Sequence, residues 1–372
     1  MKYNFNEIVK RDNTNSIKYD FANRRGKPEG LLPLWVADMD FKTPAPVVEA
    51  LVEKSKHGIF GYSEGGQDYF FTLKDWFKTR FDWNIQPEWL VTTPGVVYAI
   101  ATAIRGLTQI GDSIIIQQPV YYPFADTITI NERKLVVNQL VYDNGRYSID
   151  FADFENKIID NGVKIFILCN PHNPVGRVWT REELVRLGDI CLKHGVTVIA
   201  DEIHQDFIYP GHKHLVFADL KPEFLAITIT CTAPSKTFNL AGLQVSNIFI
   251  ENKEIKRKFK IEMQKGGYNE INIMGIVACM AAYSKGRKWL EELKTYLGEN
   301  LDCIRAFLNK QLPQIKLIEP EGTYLIWLDF SELGLNEEQL EDLIINQAGL
   351  WLDAGTMFGA GGDGFQRINI AA

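Results

Sequence analysis

The segment CTAPSKTFNLAGLQ, residues 231–244, surrounds one lysine, Lys236, with small and hydroxylic residues directly after the strand-like run FLAITIT. A lysine that acts as a nucleophile must reach its target unhindered. The hydroxyl residues Ser235 and Thr232 stand close to it in the sequence. The segment therefore indicates a reactive amine at the end of a strand.

Three further loops carry polar groups that belong with this lysine. CNPHNPVGRVW follows the β-type run KIFIL, and ADEIHQDF follows VTVI, so each puts polar residues at the carboxyl end of a strand. TTPGVVYAI opens a helix after a glycine, and the unpaired backbone N–H groups at such a helix start suit a phosphate. We expect all four loops to form one site.

Asp201 ends the apolar run VTVIA, where a carboxylate is normally avoided unless it has a partner. A bound cation would be such a partner, because an opposite charge favours the ionised carboxylate. The alternative is that Asp201 caps the next helix.

The elements that must position these groups alternate along the chain from about residue 94. Short β-branched runs such as SIIIQQPV, KLVVNQLVY and VSNIFI are separated by helical patterns such as GVVYAIATAIRGL and REELVRLGDICLKHG. This alternation predicts a doubly wound α/β domain with parallel strands, in which ligands bind at the carboxyl ends of the strands.

The pattern changes beyond residue 252. KWLEELKTYLGENLDCIRAFLNKQL has the 3.6-residue period of a helix, TYLIWLDF follows as a strand, and NEEQLEDLIINQAG predicts another helix. We therefore expect a large domain over 46–282, a small α+β domain over 283–372, and an N-terminal segment over 1–45 that packs with the small domain.

As a set, WVADMDF, PGVV, PVYYPF, NPHNPVGRVW, DEIH, PSKTFNLAGL and RINIA resemble the fold-type I pyridoxal-phosphate enzymes of the aminotransferase superfamily. The residues of these motifs most resemble those of the cystathionine β-lyase, or cysteine-S-conjugate β-lyase, branch. The resemblance covers nearly the whole chain. It implies pyridoxal 5'-phosphate as cofactor, a mostly parallel seven-stranded sheet in the large domain, and a smaller α+β domain.

The resemblance also implies roles for individual residues. Lys236 would bond to the cofactor, Asp201 would hold the ring nitrogen, and Tyr121 would stack on the ring as the third catalytic residue. Ser235 and Thr232 would contact the cofactor phosphate. The full cofactor-binding set would be Tyr62, Gly95, Val96, Val97, Tyr121, Asn173, Asp201, His204, Thr232, Ser235 and Lys236. The substrate-binding set would be Trp35, Ala37, Asn173 and Arg367, with Arg367 gripping the substrate carboxylate.

Tyr62, in FGYSEGGQD, matches a tyrosine that reaches the phosphate of the neighbouring subunit in relatives, which implies a homodimer with shared active sites. The chain departs from typical aminotransferases at His204 and Gln244, where tyrosine and a phosphate-binding arginine are usual. Both departures favour the lyase branch.

The resulting hypothesis is a cytoplasmic carbon–sulfur lyase that cleaves cystathionine or a related L-cysteine S-conjugate, an amino-acid substrate, to pyruvate, ammonia and a thiol. One alternative is a class I/II aminotransferase, which shares every step up to the carbanion. The second alternative is a pyridoxal-phosphate-binding protein with a regulatory partner.

Composition argues against other classes of protein. The 372 residues carry a formal net charge of -7 without a long basic run, which gives a nucleic-acid partner little support. Five cysteines without a CxxC pair, and no apolar run of membrane-spanning length, predict a protein that is neither exported nor embedded in a membrane. We expect no metal, because His212 and His214 have no nearby third ligand and are interpreted as solvated.

Overall fold

The computed structural model describes residues 3–372, so the first two residues of the predicted segment 1–45 lie outside it. In chain order the strands are β1 (Leu32–Pro33), β2 (Leu90–Thr93), β3 (Ser113–Gln118), β4 (Lys134–Gln139), β5 (Val141–Asp143), β6 (Arg146–Ser148), β7 (Ile165–Cys169), β8 (Thr197–Asp201), β9 (Thr228–Thr232), β10 (Ser246–Ile250), β11 (Lys316–Ile318), β12 (Leu325–Asp329), β13 (Leu350–Trp351), β14 (Asp353–Ala354) and β15 (Phe365–Asn369). The helices are α1 (Ala45–His57), α2 (Gly66–Phe81), α3 (Val96–Leu107), α4 (Pro123–Ile130), α5 (Phe151–Asn161), α6 (Arg181–His194), α7 (Pro222–Leu225), α8 (Pro234–Thr237), α9 (Lys253–Lys265), α10 (Ile273–Lys285), α11 (Arg287–Gln311) and α12 (Glu337–Asp342).

The largest sheet has seven strands in the order β2-β10-β9-β8-β7-β3-β4. Only β10 runs antiparallel to its neighbours in this sheet. The mostly parallel α/β fold expected from the alternating pattern is therefore confirmed. Strands β7, β8 and β9 lie side by side, so the loops at their carboxyl ends meet at one edge of the sheet.

Helices cover both faces of this sheet because successive side chains of each strand point to opposite faces. On β3, Ile115 packs in a core with α5 and α6, whereas Ile114 and Ile116 pack in a second core with α3 and α9. The side chains of β3 and β7 through β10 are almost fully buried, which explains their continuous apolar sequence.

A second, antiparallel sheet has the order β11-β12-β15-β14, and the long amphipathic helix α11 contributes its apolar side to the core beside β12. Strand β1 of the N-terminal segment pairs with β13, joining Leu32 to Leu350. The domain boundaries at 45 and 282 stay predictions. Among residues 3–372, no helix combines the length and the apolar character needed to cross a membrane.

Candidate active site

Lys236 lies on the short helix α8, directly after β9 of the central sheet. Its Nζ donates a hydrogen bond to the backbone carbonyl of Ala37 at 2.8 Å. Burial, followed by the charge of Arg367, lowers the pKa of Lys236 to about 8, against the opposing charges of Asp38 and Asp201. A substantial neutral fraction of this amine therefore exists near physiological pH, as a nucleophile or base requires.

Asp201 is the last residue of β8, which pairs with β9. Its carboxylate accepts a hydrogen bond from the Ile203 backbone N–H at 3.1 Å and forms no salt bridge within the described chain. Burial raises the pKa of Asp201 to about 7, although the Ile203 N–H and the charge of Lys236 oppose the rise. Among residues 3–372, this carboxylate therefore lacks a cation bonded directly to it.

Asn173 and Arg367 come from different sheets and meet at the site. Asn173 follows β7, and its Oδ1 accepts a hydrogen bond from Nη1 of Arg367, on β15, at 3.0 Å. Arg367 Nη2 also donates to the Trp35 carbonyl at 2.9 Å and to the carboxylate of Asp353. Both side chains of the Arg367–Asp353 pair are 3% exposed, so the guanidinium is buried beside a carboxylate.

Tyr121 and His204 line the same region. The backbone N–H of Tyr121 donates to the Asn173 carbonyl at 3.0 Å. Burial raises the pKa of Tyr121, as do the charges of Tyr122 and Asp201, whereas the charge of Arg367 opposes the rise. Burial, then the charges of Lys236 and Arg367, lowers the pKa of His204 well below its usual value and keeps this imidazole neutral.

The predicted phosphate contacts lie in different settings. Helix α3 begins at Val96 directly after Gly95, so the N–H groups of its first turn, including that of Val97, lie at a helix N-terminus. Ser235 precedes Lys236 on α8. The Thr232 hydroxyl, by contrast, donates to the Asn247 carbonyl on β10 at 2.9 Å, a partner within the sheet.

Tyr62 lies apart from the other predicted site residues in the single chain. It belongs to the loop between α1 and α2, and its side chain is 96% exposed. The structure thus brings Lys236, Asp201, Asn173 and Arg367 together and leaves Tyr62 on the surface.

Residues 34–41, here called the strap, cross the site with backbone carbonyls directed at its side chains. The Ala37 carbonyl accepts hydrogen bonds from Lys236 Nζ and from the Tyr324 hydroxyl at 2.9 Å. Asn369, two residues beyond Arg367, donates to the carbonyls of Val36 and Asp38. The contact that Ala37 makes here is thus through its carbonyl, and its expected role in substrate binding stays a prediction. The Trp35 ring stacks on Trp351 at 4.5 Å between ring centres.

An ionic cluster, here called the clasp, holds the strap from the other side. Lys18 Nζ lies 2.8 Å from an Asp40 carboxylate oxygen, and the Lys18 side chain is fully buried. Arg11 binds both Asp38 and Asp40 at 2.5 Å, and the Tyr19 hydroxyl donates to Asp40 at 3.0 Å. The clasp therefore joins residues 11–19 to two carboxylates of the strap.

The family model for aminotransferase class I and II matches residues 29–372. The chain belongs to this family. It is 44% identical to the cystathionine beta-lyase PatB of Bacillus subtilis (strain 168), over 98% of this chain and 95% of that protein. Two PLP-bound crystal structures are also similar. One, from Clostridium difficile 630 and described as an aminotransferase, has a TM-score of 0.97 and 44% identity over 100% of this chain and 95% of that one. The other, a C-S lyase from Staphylococcus hominis, has a TM-score of 0.93 and 36% identity over 100% of this chain and 94% of that one.

In this aminotransferase-family site, Asp353 and Tyr324 have contacts that the sequence did not predict. Both lie in the C-terminal sheet region, far along the chain from Lys236. Tyr324 stands in TYLIWLDF, which predicted a strand but no site contact, and Asp353 stands in no motif that marks it. Only the pairing of β14 with β15, which sets Asp353 opposite Arg367, identifies Asp353 as a site residue.

The expectation that His214 is solvated is wrong. Its side chain is buried and its Nε2 lies 3.1 Å from an oxygen of Glu202, whose other oxygen accepts the Phe217 N–H at 2.9 Å. A buried carboxylate supplied by the DEIH loop therefore provides the partner that the local sequence GHKHL lacks. The described residues contain no group of three or more His, Cys, Asp or Glu side chains able to hold a metal ion.

Proposed function

We propose that the protein is a pyridoxal-phosphate-dependent carbon–sulfur β-lyase. Its substrate would be L-cystathionine or a related L-cysteine S-conjugate, which with one water gives a thiol, pyruvate and ammonia. The names of the B. subtilis cystathionine β-lyase and the S. hominis C-S lyase support this reaction over amino transfer. The observation that carries the proposal is the buried Asp201 carboxylate, which forms no salt bridge within residues 3–372 and lies beside a lysine of lowered pKa.

The residues present fit pyridoxal phosphate. Asp201 suits a protonated ring nitrogen, because burial raises its pKa to about 7 and a cation would offset the cost of its charge. Nδ1 of His204 and Nε of Arg367 are buried and have no hydrogen-bond partner among the described residues. Unpartnered buried polar atoms of this kind are expected where a polar ligand binds.

In the proposed complex Lys236 would attach the cofactor, Asp201 would pair with its ring nitrogen, and Tyr121 would stack on its ring. Asn173 and His204 would bind its other ring groups, and Gly95, Val96, Val97, Ser235 and Thr232 would bind its phosphate. When bound, the cofactor supplies an electron sink for the carbanion formed at the substrate Cα. Thr232 would first have to redirect its hydroxyl from the Asn247 carbonyl.

The protein groups then divide the remaining work. Arg367 and Asn173 bind the substrate carboxylate, so the Cα–H bond is oriented towards Lys236. Lys236, with a pKa of about 8, removes the Cα proton as general base. The Ala37 carbonyl holds Lys236 Nζ in reach, and Trp35 on the strap forms an apolar wall at the substrate entrance.

We further propose a cytoplasmic homodimer in which Tyr62 of one subunit completes the phosphate site of the other. Its 96% exposure in the single chain leaves it available to a second copy. The exposed side chains of Ile59 and Phe60, at 66% and 59%, extend an apolar surface beside it. All five cysteines are free thiols, in keeping with a reducing compartment.

The test is product identification with purified protein loaded with cofactor. L-cystathionine or S-methyl-L-cysteine should give pyruvate, ammonia and free thiol in equal amounts without an added keto acid. Fast amino transfer from L-alanine to a keto-acid acceptor, together with no thiol release, would instead assign the aminotransferase reaction. Recovery of a transcription factor from cell extract by the immobilised protein, without either activity, would support the regulatory alternative.

A further inference from the structure

Arg367 is held at the site by four separate contacts. Nη1 donates to Asn173 Oδ1 at 3.0 Å, and Nη2 donates to the Trp35 carbonyl at 2.9 Å. The Phe358 ring centre lies 5.0 Å from the guanidinium carbon. Only the fourth contact, with Asp353, brings a second charge. Three neutral contacts thus orient the guanidinium, and one acidic contact neutralises it.

The Asp353 carboxylate lies beside Arg367, and its charge also acts on Tyr121, another of the predicted site residues. Asp353 opposes Arg367 directly on the paired strands β14 and β15, and its side chain is 3% exposed. Next to burial, which is the main cause, the charge of Asp353 contributes to the raised pKa of Tyr122, while Arg367 opposes it. A carboxylate bound to Arg367 would therefore lie near a second, fixed carboxylate, and the two would repel each other in a medium that screens charge poorly.

We propose that Asp353 is a specificity-determining residue that weakens the binding of the substrate α-carboxylate by Arg367. The proposal rests on the proposed function, in which Arg367 receives that carboxylate. The α-carboxylate is present in the substrate, in the transition state and in the product pyruvate alike. Tight binding of such a group lowers KM without raising kcat and retains the product. Asp353 keeps this contact orienting and reversible, so the site selects α-carboxylates by geometry more than by charge.

The test uses the Asp353→Asn holoenzyme, whose amide has nearly the shape of the carboxylate but no charge. Propionate is the probe, because it carries a carboxylate without the amine that would react with the cofactor. We expect its competitive inhibition constant to fall about tenfold, corresponding to about 1.4 kcal/mol. Without propionate, the variant should melt at a lower temperature than wild type, because Arg367 is then a buried unpaired charge. Added propionate should raise the melting temperature of the variant more than that of wild type. KM for S-methyl-L-cysteine should fall while kcat does not rise.

Three comparisons make the effect specific. Asp353→Glu retains the charge, so propionate should inhibit this variant as it inhibits wild type. Asp329→Asn changes another buried carboxylate of the same sheet, which accepts from the Tyr142 hydroxyl at 3.0 Å, and should leave propionate inhibition unchanged. Propionamide, the neutral analogue, should bind wild type and Asp353→Asn equally.

The outcomes separate this proposal from the one on which it rests. If Arg367→Gln binds propionate as well as wild type does, Arg367 is not the carboxylate site and the proposed function fails at that residue. If Arg367→Gln loses propionate while Asp353→Asn binds it equally or more weakly, Asp353 only orients the guanidinium and the inference is overturned. Should Asp353→Asn not fold, Asp353→Ser is measured in its place, with the same expected direction.

Discussion

At the scale of single residues, burial shifts the pKa values of the two central ionisable groups, Lys236 and Asp201, towards each other. It lowers the pKa of Lys236 to about 8 and raises that of Asp201 to about 7. Each shift favours the neutral form, so both groups are more costly to ionise here than in water. A cationic ring bonded through Lys236 and paired with Asp201 would relieve that cost on the acidic side.

Asp201→Asn tests this electrostatic role through pH. The folded-state pKa of Asp201 is raised, so its favourable contribution to stability is fully present below its unfolded pKa and is lost as pH rises through about 7. Without cofactor, we therefore compare the free energies of unfolding of Asp201→Asn and wild type by denaturant unfolding at pH 5 and pH 8. The difference should favour the variant more at pH 8 than at pH 5. With cofactor, the same variant should lose at least about 100-fold in kcat, about 2.7 kcal/mol of barrier. Equal pH profiles of unfolding for the two proteins would refute the assigned pKa, and activity within about tenfold of wild type would make Asp201 structural.

Lys236→Ala tests the covalent role. The variant should lose the visible absorption band of bound cofactor and about 1,000-fold or more of its β-elimination rate, because both the attachment and the general base are removed. Lys294→Ala is the matched control, since Lys294 is another partly buried lysine whose pKa is lowered by burial. It should retain both the band and the rate. A normal spectrum in Lys236→Ala would move the attachment to another lysine.

The sequence predicted the members of the site that stand in strand-end loops. Lys236, Asp201 and Asn173 follow neighbouring strands, so the parallel sheet itself brings them together. Asp353 could not be predicted in this way. Its role depends on the register of two strands, and no local pattern specifies which residue opposes Arg367.

At the scale of elements, the strap has little regular structure and is held by side chains instead. Its carbonyls accept hydrogen bonds from Lys236 and Arg367, and Lys18 of the clasp binds its Asp40 carboxylate. Periodicity predicted α11 and the strands of the main sheet because their apolar residues repeat at fixed intervals. It gave no signal for the strap and the clasp, whose contacts join Arg11 and Lys18 to carboxylates more than 20 residues along the chain.

Lys18→Met tests whether the clasp positions the strap. Among residues 3–372, removing this fully buried ammonium leaves the Asp40 carboxylate with Arg11 and Tyr19 as partners, and should cost about 3 kcal/mol in the free energy of unfolding. Under conditions where the variant remains folded, kcat/KM should fall about tenfold and the pH dependence of the cofactor band should shift, because Lys236 loses a fixed carbonyl partner. Lys18→Arg should restore much of both.

Lys42→Met is the control for the clasp. Lys42 pairs with Glu7 on the surface, with side chains 63% and 48% exposed, so its loss should change stability by less than about 0.5 kcal/mol. If Lys18→Met is destabilised but keeps the wild-type kcat/KM and pH profile, the clasp supports the fold and does not position the strap.

At the scale of the whole molecule, one chain holds nearly the full candidate site but leaves Tyr62 outside it. The exposed loop carrying Tyr62, Ile59 and Phe60 is apolar, and burying it against a second copy would remove that surface from water. The sequence could suggest this arrangement only through resemblance, because the contacts of an exposed loop with another chain are not encoded in periodicity.

Mixing two inactive variants tests the shared site. Tyr62→Ala should weaken cofactor binding through the lost phosphate contact, and Lys236→Ala should be inactive. In a heterodimer of the two, one site combines both defects and the other contains native Tyr62 and native Lys236. Random pairing of equal amounts makes half of the dimers mixed, each with one intact site of two, so activity should recover to about a quarter of wild type at limiting cofactor. Subunit exchange is verified with two affinity tags. The control is Tyr142→Ala mixed with Lys236→Ala, in which every subunit with native Lys236 should be active whichever subunit it pairs with. Demonstrably mixed dimers that remain as inactive as their parents would mean that each chain builds its site alone, and that Tyr62 serves another purpose on the surface.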